Sequence, residues 1–116
     1  MPVNDAREHL GEVVDPALGV PELTGFENHQ GVTRLGPDAV PLAQVSVGIG
    51  NGDGTEGAHG GRVLGTYLHG PALVRNPGLA DLLLGWVTGP LRPLPPERDD
   101  LALRLRHERL AAVSSR

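Results

Sequence analysis

Glycine and proline punctuate this chain so densely that it can fold only as short elements joined by tight turns. There are 17 glycines and 11 prolines in 116 residues. Proline removes a backbone donor and glycine loses the most conformational entropy on being fixed, so few stretches can carry long regular structure. Aromatic residues make up only 3% of the sequence, which leaves an aliphatic core. A chain of this length buries about two-thirds of its unfolded surface, enough for one small domain or a piece of one.

Between the breakers a coarse order is legible. Leu10 to Val14 suits a short strand, after which Asp15-Pro16-Ala17-Leu18-Gly19-Val20-Pro21 blocks regular backbone. Leu23 to Leu35 reads as a strand, a tight turn and a second strand. Gln44-Val45-Ser46-Val47-Gly48-Ile49 alternates small or polar with apolar residues, the period of a strand with one buried face. Asn51-Gly52-Asp53-Gly54 then favours a hairpin turn, because Asn-Gly and Asp-Gly pairs accept positive φ. A returning strand is expected from Arg62 to Leu68.

Helices are expected only in the last third. Asn76-Pro77 reads as a helix cap followed by a proline in the first turn. Leu79, Leu82, Leu83, Trp86 and Val87 then form one apolar stripe that ends at Gly89-Pro90. Pro90-Leu91-Arg92-Pro93-Leu94-Pro95-Pro96 suits a semi-rigid extended linker. A final helix capped by Asp99 or Asp100 is expected through about Ala112, with Arg104, Arg106 and Arg109 set among Leu101, Leu105 and Leu110. The expected organisation is therefore a domain over residues 1–89, a Pro-rich linker over 90–100 and a C-terminal helix over 101–116. Strands first and helices last suggest an α+β domain or the back half of a larger α/β one.

The formal charge of −4 gives no basic surface for phosphate backbones or an anionic leaflet. Nucleic acid is thus not an expected partner. No apolar run reaches a membrane span and the first residues have no signal-peptide pattern, so the expected compartment is the cytoplasm. With no cysteine, the chain by itself can form no disulfide, no thiolate metal site and no thiol nucleophile.

Three segments concentrate polar chemistry. Gly65-Thr66-Tyr67-Leu68-His69-Gly70-Pro71 places His69 at a strand end before a Gly-Pro turn, where a β scaffold can hold a general base. By residue type alone, a histidine in such a place is more often a turn residue without a role. Gly25-Phe26-Glu27-Asn28-His29-Gln30-Gly31 sets Glu27 and His29 on one strand face. That spacing suits hydrogen bonding better than a metal site, which needs a third convergent ligand. His9 and His59 read as solvated loop residues, and His107 as part of the last helix surface. The Gly-x-Gly-x-Gly pattern at Gly48 to Gly52 lacks the strand-to-helix context of a phosphate loop, and the hairpin reading is preferred.

Taken together, the two histidine motifs resemble those of the cobyric acid synthase-like class of glutamine amidotransferases. The Phe-Glu-Asn-His version, Gly50-Asn51-Gly52 with Thr55-Glu56-Gly57 behind it, and Asn76-Pro77 before Leu79-Ala80-Asp81-Leu82-Leu83 look most like the glutaminase subunits of lipid II isoglutaminyl synthase. The resemblance spans roughly Gly11 to Val87. It implies an α/β fold, the C-terminal portion of a flavodoxin-like class I amidotransferase domain, with strands and hairpins followed by two helices. It also implies that His69 is the catalytic histidine that exchanges protons with a cysteine thiolate attacking glutamine. The substrate would then be glutamine. The implied partner is a Mur ligase-like, ATP-using subunit that amidates the D-glutamate of lipid II, so no cofactor is expected on this chain.

The departures are informative. The cysteine elbow and first strands of the family lie upstream of the region seen here, so the chain is expected to begin mid-domain, to be inactive by itself and to carry unpaired sheet edges. Pro71 stands where the His-Pro-Glu type of class I enzyme has its acid, and no ordinary triad acid is expected. Two alternatives stay open: a noncatalytic partner-binding module, and the amidotransferase part of a cobyric acid synthase-type enzyme.

Overall fold

The computed structural model describes residues 6–92 and 96–114. Four strands, β1 (Arg7–Val13), β2 (Leu23–Glu27), β3 (Ala43–Val47) and β4 (Thr55–Glu56), form one antiparallel sheet in the order β2-β1-β3-β4. Strands β5 (Ala58–Gly60) and β6 (Val63–Gly65) make a separate hairpin. Helices α1 (Ala72–Arg75), α2 (Pro77–Thr88) and α3 (Pro96–Ser114) follow. This mixture of strands and helices is consistent with the expected α/β class I glutamine amidotransferase domain. All pairs among the described strands are antiparallel, so they need only short connections rather than helical crossovers.

The aliphatic core predicted from composition is small. Leu23, Leu42, Ala43, Leu68 and Leu79 are buried together, with Val13, Leu64, Leu82 and Leu83 packed against them. Each fully buried leucine contributes roughly 1.5–3 kcal/mol, so polar contacts must also define the packing. Gly11 shows why. A Cβ there would press on His9 Nε2 at 2.9 Å and Ala43 Cβ at 3.2 Å. The missing side chain lets the His9 ring lie along the sheet, beside a register shift between Leu10 and Gly11.

The outer edge of β2 is closed by three different devices. Phe26 and His69 exchange both backbone bonds, at 3.0 and 2.8 Å. Thr24 N–H donates to Asn76 Oδ1 and Asn76 Nδ2 donates to Thr24 O, each at 2.8 Å, so one carboxamide stands where a neighbouring strand's peptide would. The Glu22 carbonyl accepts from Arg106. An exposed strand edge is a template for unwanted pairing, and the unpaired edge expected from the sequence does not occur along β2.

Several boundaries differ from expectation, each for a local reason. No second strand forms between Gly31 and Leu35, where Thr33 N–H instead reaches Asn51 O at 3.1 Å. The strand expected from Arg62 to Leu68 is confined to Val63–Gly65. Helix α2 fits its expected span, yet Asn76 makes no side-chain cap because its carboxamide is spent on Thr24. Val87, expected on the buried stripe, is 84% exposed. Helix α3 begins at Pro96, ahead of Asp99 or Asp100. Residues 93–95 of the expected linker and 115–116 of the expected helix lie outside the described residues. On α3, Arg106 is buried while Leu101 and Leu105 are exposed. Arg106 gains Asn76 Oδ1 at 2.9 Å as well as the Glu22 carbonyl, and Arg109 pairs with Glu8 at 2.6 Å.

Candidate functional site

The Gly25-to-Gly31 segment is organised by one carboxylate. Glu27 ends β2, is fully buried, and accepts from His9 Nδ1 and His29 Nε2 at 2.7 Å each. It also accepts from Ile49 N–H at 3.0 Å and Gly50 N–H at 2.9 Å, with Arg7 Nη1 3.7 Å away. Burial alone would raise its pKa, but the bonds from His9, Gly50, His29 and Ile49 outweigh that and pull it from 4.5 to about 2. The loop after β3 must come close for this to happen. Gly48, at φ +121°, passes where a Cβ would collide with Glu27 Oε2.

The histidines around Glu27 have defined roles. His29 Nδ1 faces the Gly31 carbonyl at 3.0 Å and its Nε2 faces Glu27. Both nitrogens thus face acceptor oxygens. The His29 ring stacks on Tyr67, with centroids 3.8 Å apart, and the Tyr67 hydroxyl bonds to Thr33 Oγ1. The expectation that His9 is solvated is wrong: it lies on β1, is fully buried, and its Nδ1–H is committed to Glu27. His59 is half-buried and its ring stacks near Trp86, so it is not a free loop residue either, whereas His107 is exposed on α3 as expected. The Glu27 and His29 pairing is the structural hydrogen bonding expected from their spacing. Among the described residues no group of three or more His, Cys, Asp or Glu side chains could hold a metal ion.

A second buried carboxylate supports the other motif. Glu56 is fully buried on β4; its Oε1 accepts from Tyr67 N–H at 2.6 Å and Thr66 Oγ1 at 2.7 Å, while Oε2 has no hydrogen-bond partner among the described residues. Burial pushes its carboxyl above the usual range against the pull of the Thr66 and Tyr67 bonds. Beside it, Thr33, Asn51, Thr66 and Tyr67 line a cleft of about 230 Å³.

His69 lies where the two motifs meet. Its backbone is clamped to Phe26 by the two-bond bridge, and its ring stacks on Phe26 with centroids 5.5 Å apart at 25°. The residue is exposed, and among the described residues neither ring nitrogen has a hydrogen-bond partner. A fixed backbone with a free imidazole can exchange a proton with a group arriving from outside. Sequence reasoning singled out His69, Glu27 and His29, and missed His9 and Glu56.

The family model for the CobB/CobQ-like glutamine amidotransferase domain matches residues 5–77, taking in Glu27, Glu56 and His69. The chain is similar to subunit GatD of the glutamine-hydrolysing lipid II isoglutaminyl synthase of Streptococcus pneumoniae, 53% identical over 58 residues that cover 48% of this chain and 22% of the relative. The same subunit of Staphylococcus aureus is 42% identical over 76 residues, covering 64% and 30%. A cobyric acid synthase of Desulforamulus reducens is 38% identical over 104 residues, covering 74% and 19%. The chain spans less than a third of the length of these relatives. No helix among the described residues is long and apolar enough to cross a membrane. With the match running through both motifs and the bridge that joins them, the chain belongs to the CobB/CobQ-like glutamine amidotransferase domain family.

Proposed function

We propose that this chain contributes the histidine half of a glutamine-hydrolysing site that supplies ammonia for amidation of the D-glutamate of lipid II. The observation that carries this reading is the Phe26–His69 bridge, which ties the two motif segments together across 43 positions of sequence and leaves the His69 ring exposed. His69 is the proposed catalytic residue. The nucleophile is a cysteine outside these 116 residues, none of which is Cys.

The chemistry divides in two. A thiolate attacks the side-chain amide carbon of glutamine, and the carbon–nitrogen bond breaks as His69 gives a proton to the departing ammonia, leaving a thioester. His69 then takes a proton from water as the water attacks the thioester, the carbon–sulfur bond breaks, and glutamate and thiolate are released. The ammonia acceptor is activated by a Mur ligase-like, ATP-using partner, so this chain needs no cofactor.

Identity favours the lipid II branch, at 53% and 42% against 35–41% for the cobyric acid synthases, whereas synthase matches cover more of this chain, 74% and 87% in two of them. That coverage supports the corrinoid pathway as the second reading. Two experiments decide. The chain should release no ammonia from glutamine alone and should gain that activity when joined to the cysteine-bearing remainder of its domain; a joined protein that remains inert contradicts the glutaminase reading and leaves a noncatalytic module. Co-purification with a Mur ligase-like protein supports the lipid II branch, and co-purification with a corrinoid-amidating enzyme overturns it.

A further inference from the structure

The reaction as drawn leaves Glu56 without a task, although a buried carboxylate with an unpartnered oxygen is costly to keep. Its geometry supplies one. Glu56 Oε1 accepts from Tyr67 N–H and from Thr66 Oγ1, and that hydroxyl in turn accepts from Leu68 N–H at 3.1 Å. One oxygen therefore organises the three residues that immediately precede His69. The backbone of Glu56 belongs to the four-stranded sheet: it pairs with Ala43, and its carbonyl accepts from Leu42 N–H at 2.9 Å. Strand β6, which leads into the motif, belongs to the separate hairpin. Thr66 to Leu68 fall outside the strands; Leu68 packs into the core and the Tyr67 ring stacks on His29, while the Glu56 side chain supplies the hydrogen bonds that tie Thr66 and the Tyr67 backbone to the larger sheet before the chain reaches Phe26.

We infer that Glu56 is a positioning residue for His69, its side chain standing in for strand pairing over Thr66 to Leu68 and delivering His69 to Phe26 in one register. The inference rests on the role proposed for His69. What the role requires is an acceptor oxygen rather than a charge. A glutamine at this position keeps that oxygen, and its NH₂ group takes the place of Oε2.

Two readouts separate positioning from mere stability. By amide hydrogen exchange on the 116-residue chain, Glu56→Ala should speed exchange at Tyr67, Leu68 and His69 on the order of 100-fold while the amides of β1 and β2 change less than about threefold, because only the local opening is eased. Glu56→Gln should restore the protection. In the glutaminase joined to its cysteine-bearing remainder, Glu56→Ala should lower kcat ~10- to 100-fold at nearly constant KM, the signature of a misplaced catalytic group, and Glu56→Gln should recover most of that loss. If Glu56→Ala does not fold, Thr66→Ala decides at an exposed position, with faster exchange confined to Leu68 and His69. The inference is overturned by unchanged exchange at His69, by a glutamine variant as impaired as the alanine one, or by a rise in KM at constant kcat. Should the joined wild-type protein release no ammonia, the glutaminase reading fails while the exchange pattern still settles whether Glu56 positions His69.

Discussion

Glu27 and Glu56 are both fully buried carboxylates, one under each motif, and they respond to burial in opposite directions. Glu27 receives bonds from two imidazoles and two backbone N–H groups and is pulled down to about 2. Glu56 receives two bonds on one oxygen, has no partner for the other among the described residues, and is pushed up. Burial is common to both; the number of donors delivered to the carboxylate decides the outcome. The region around Glu27 is thus a charged anchor that holds β1, β2 and the loop after β3 together, and the region around Glu56 is an acceptor that shapes the approach to His69.

The largest effect that would break this contrast is expected at Glu27. Glu27→Ala strands the buried His9 donor, the half-buried His29 and two N–H groups and should cost about 3–5 kcal/mol, read as a drop in the urea midpoint; a loss under about 1 kcal/mol would mean that the anchor is ornamental. Next comes pH. A carboxyl lowered from 4.5 to about 2 contributes about 3 kcal/mol that is fully present above its unfolded value and is lost as pH falls from about 4.5 to about 2. Urea titrations across that window should show the loss in the wild type and a flatter profile in Glu27→Gln. For Glu56 the sign reverses: the raised carboxyl makes ionisation unfavourable in the folded chain, so its cost grows as pH rises above 4.5. Glu56→Gln should therefore be neutral or stabilising by up to about 1 kcal/mol at pH 7. The smallest effect belongs to Arg7→Ala, whose half-buried guanidinium sits 3.7 Å from Glu27; surface-type pairs of this kind are worth at most ~1 kcal/mol.

Local signals carried the fold further than they carried the site. The alternation from Gln44 gave β3, the Asn51-to-Gly54 segment gave the turn after it, and Pro77 with the leucine stripe gave α2, because these depend on neighbours in sequence; the strand that returns to β3 is Thr55–Glu56, and not the expected Arg62–Leu68, whose strand part pairs with β5. What failed depends on distant partners. Asn76 looks like a cap, but Thr24 lies 52 positions away and takes its carboxamide. Arg106 sits among leucines like a solvated charge, yet the carbonyl of Glu22 and Asn76 Oδ1 draw it inward. His9 lies in a polar stretch with no period that marks it as buried, and its burial follows from Gly11 and Glu27. Glu56 was visible only as part of a family motif; nothing near it in sequence says that Thr66 and Tyr67 will fold back on it. His69 was singled out by that motif, and the bridge to Phe26 supplies the physical reason for its register.

The most direct measurement is ammonia release from glutamine by the chain joined to its cysteine-bearing remainder, compared between wild type and His69→Ala. Loss of a general acid–base at the reacting nitrogen should lower kcat ~10²- to 10⁴-fold, with the protein still folded. An alanine variant that releases ammonia at the wild-type rate would contradict the assignment of His69 and, with it, the role given to this half of the domain.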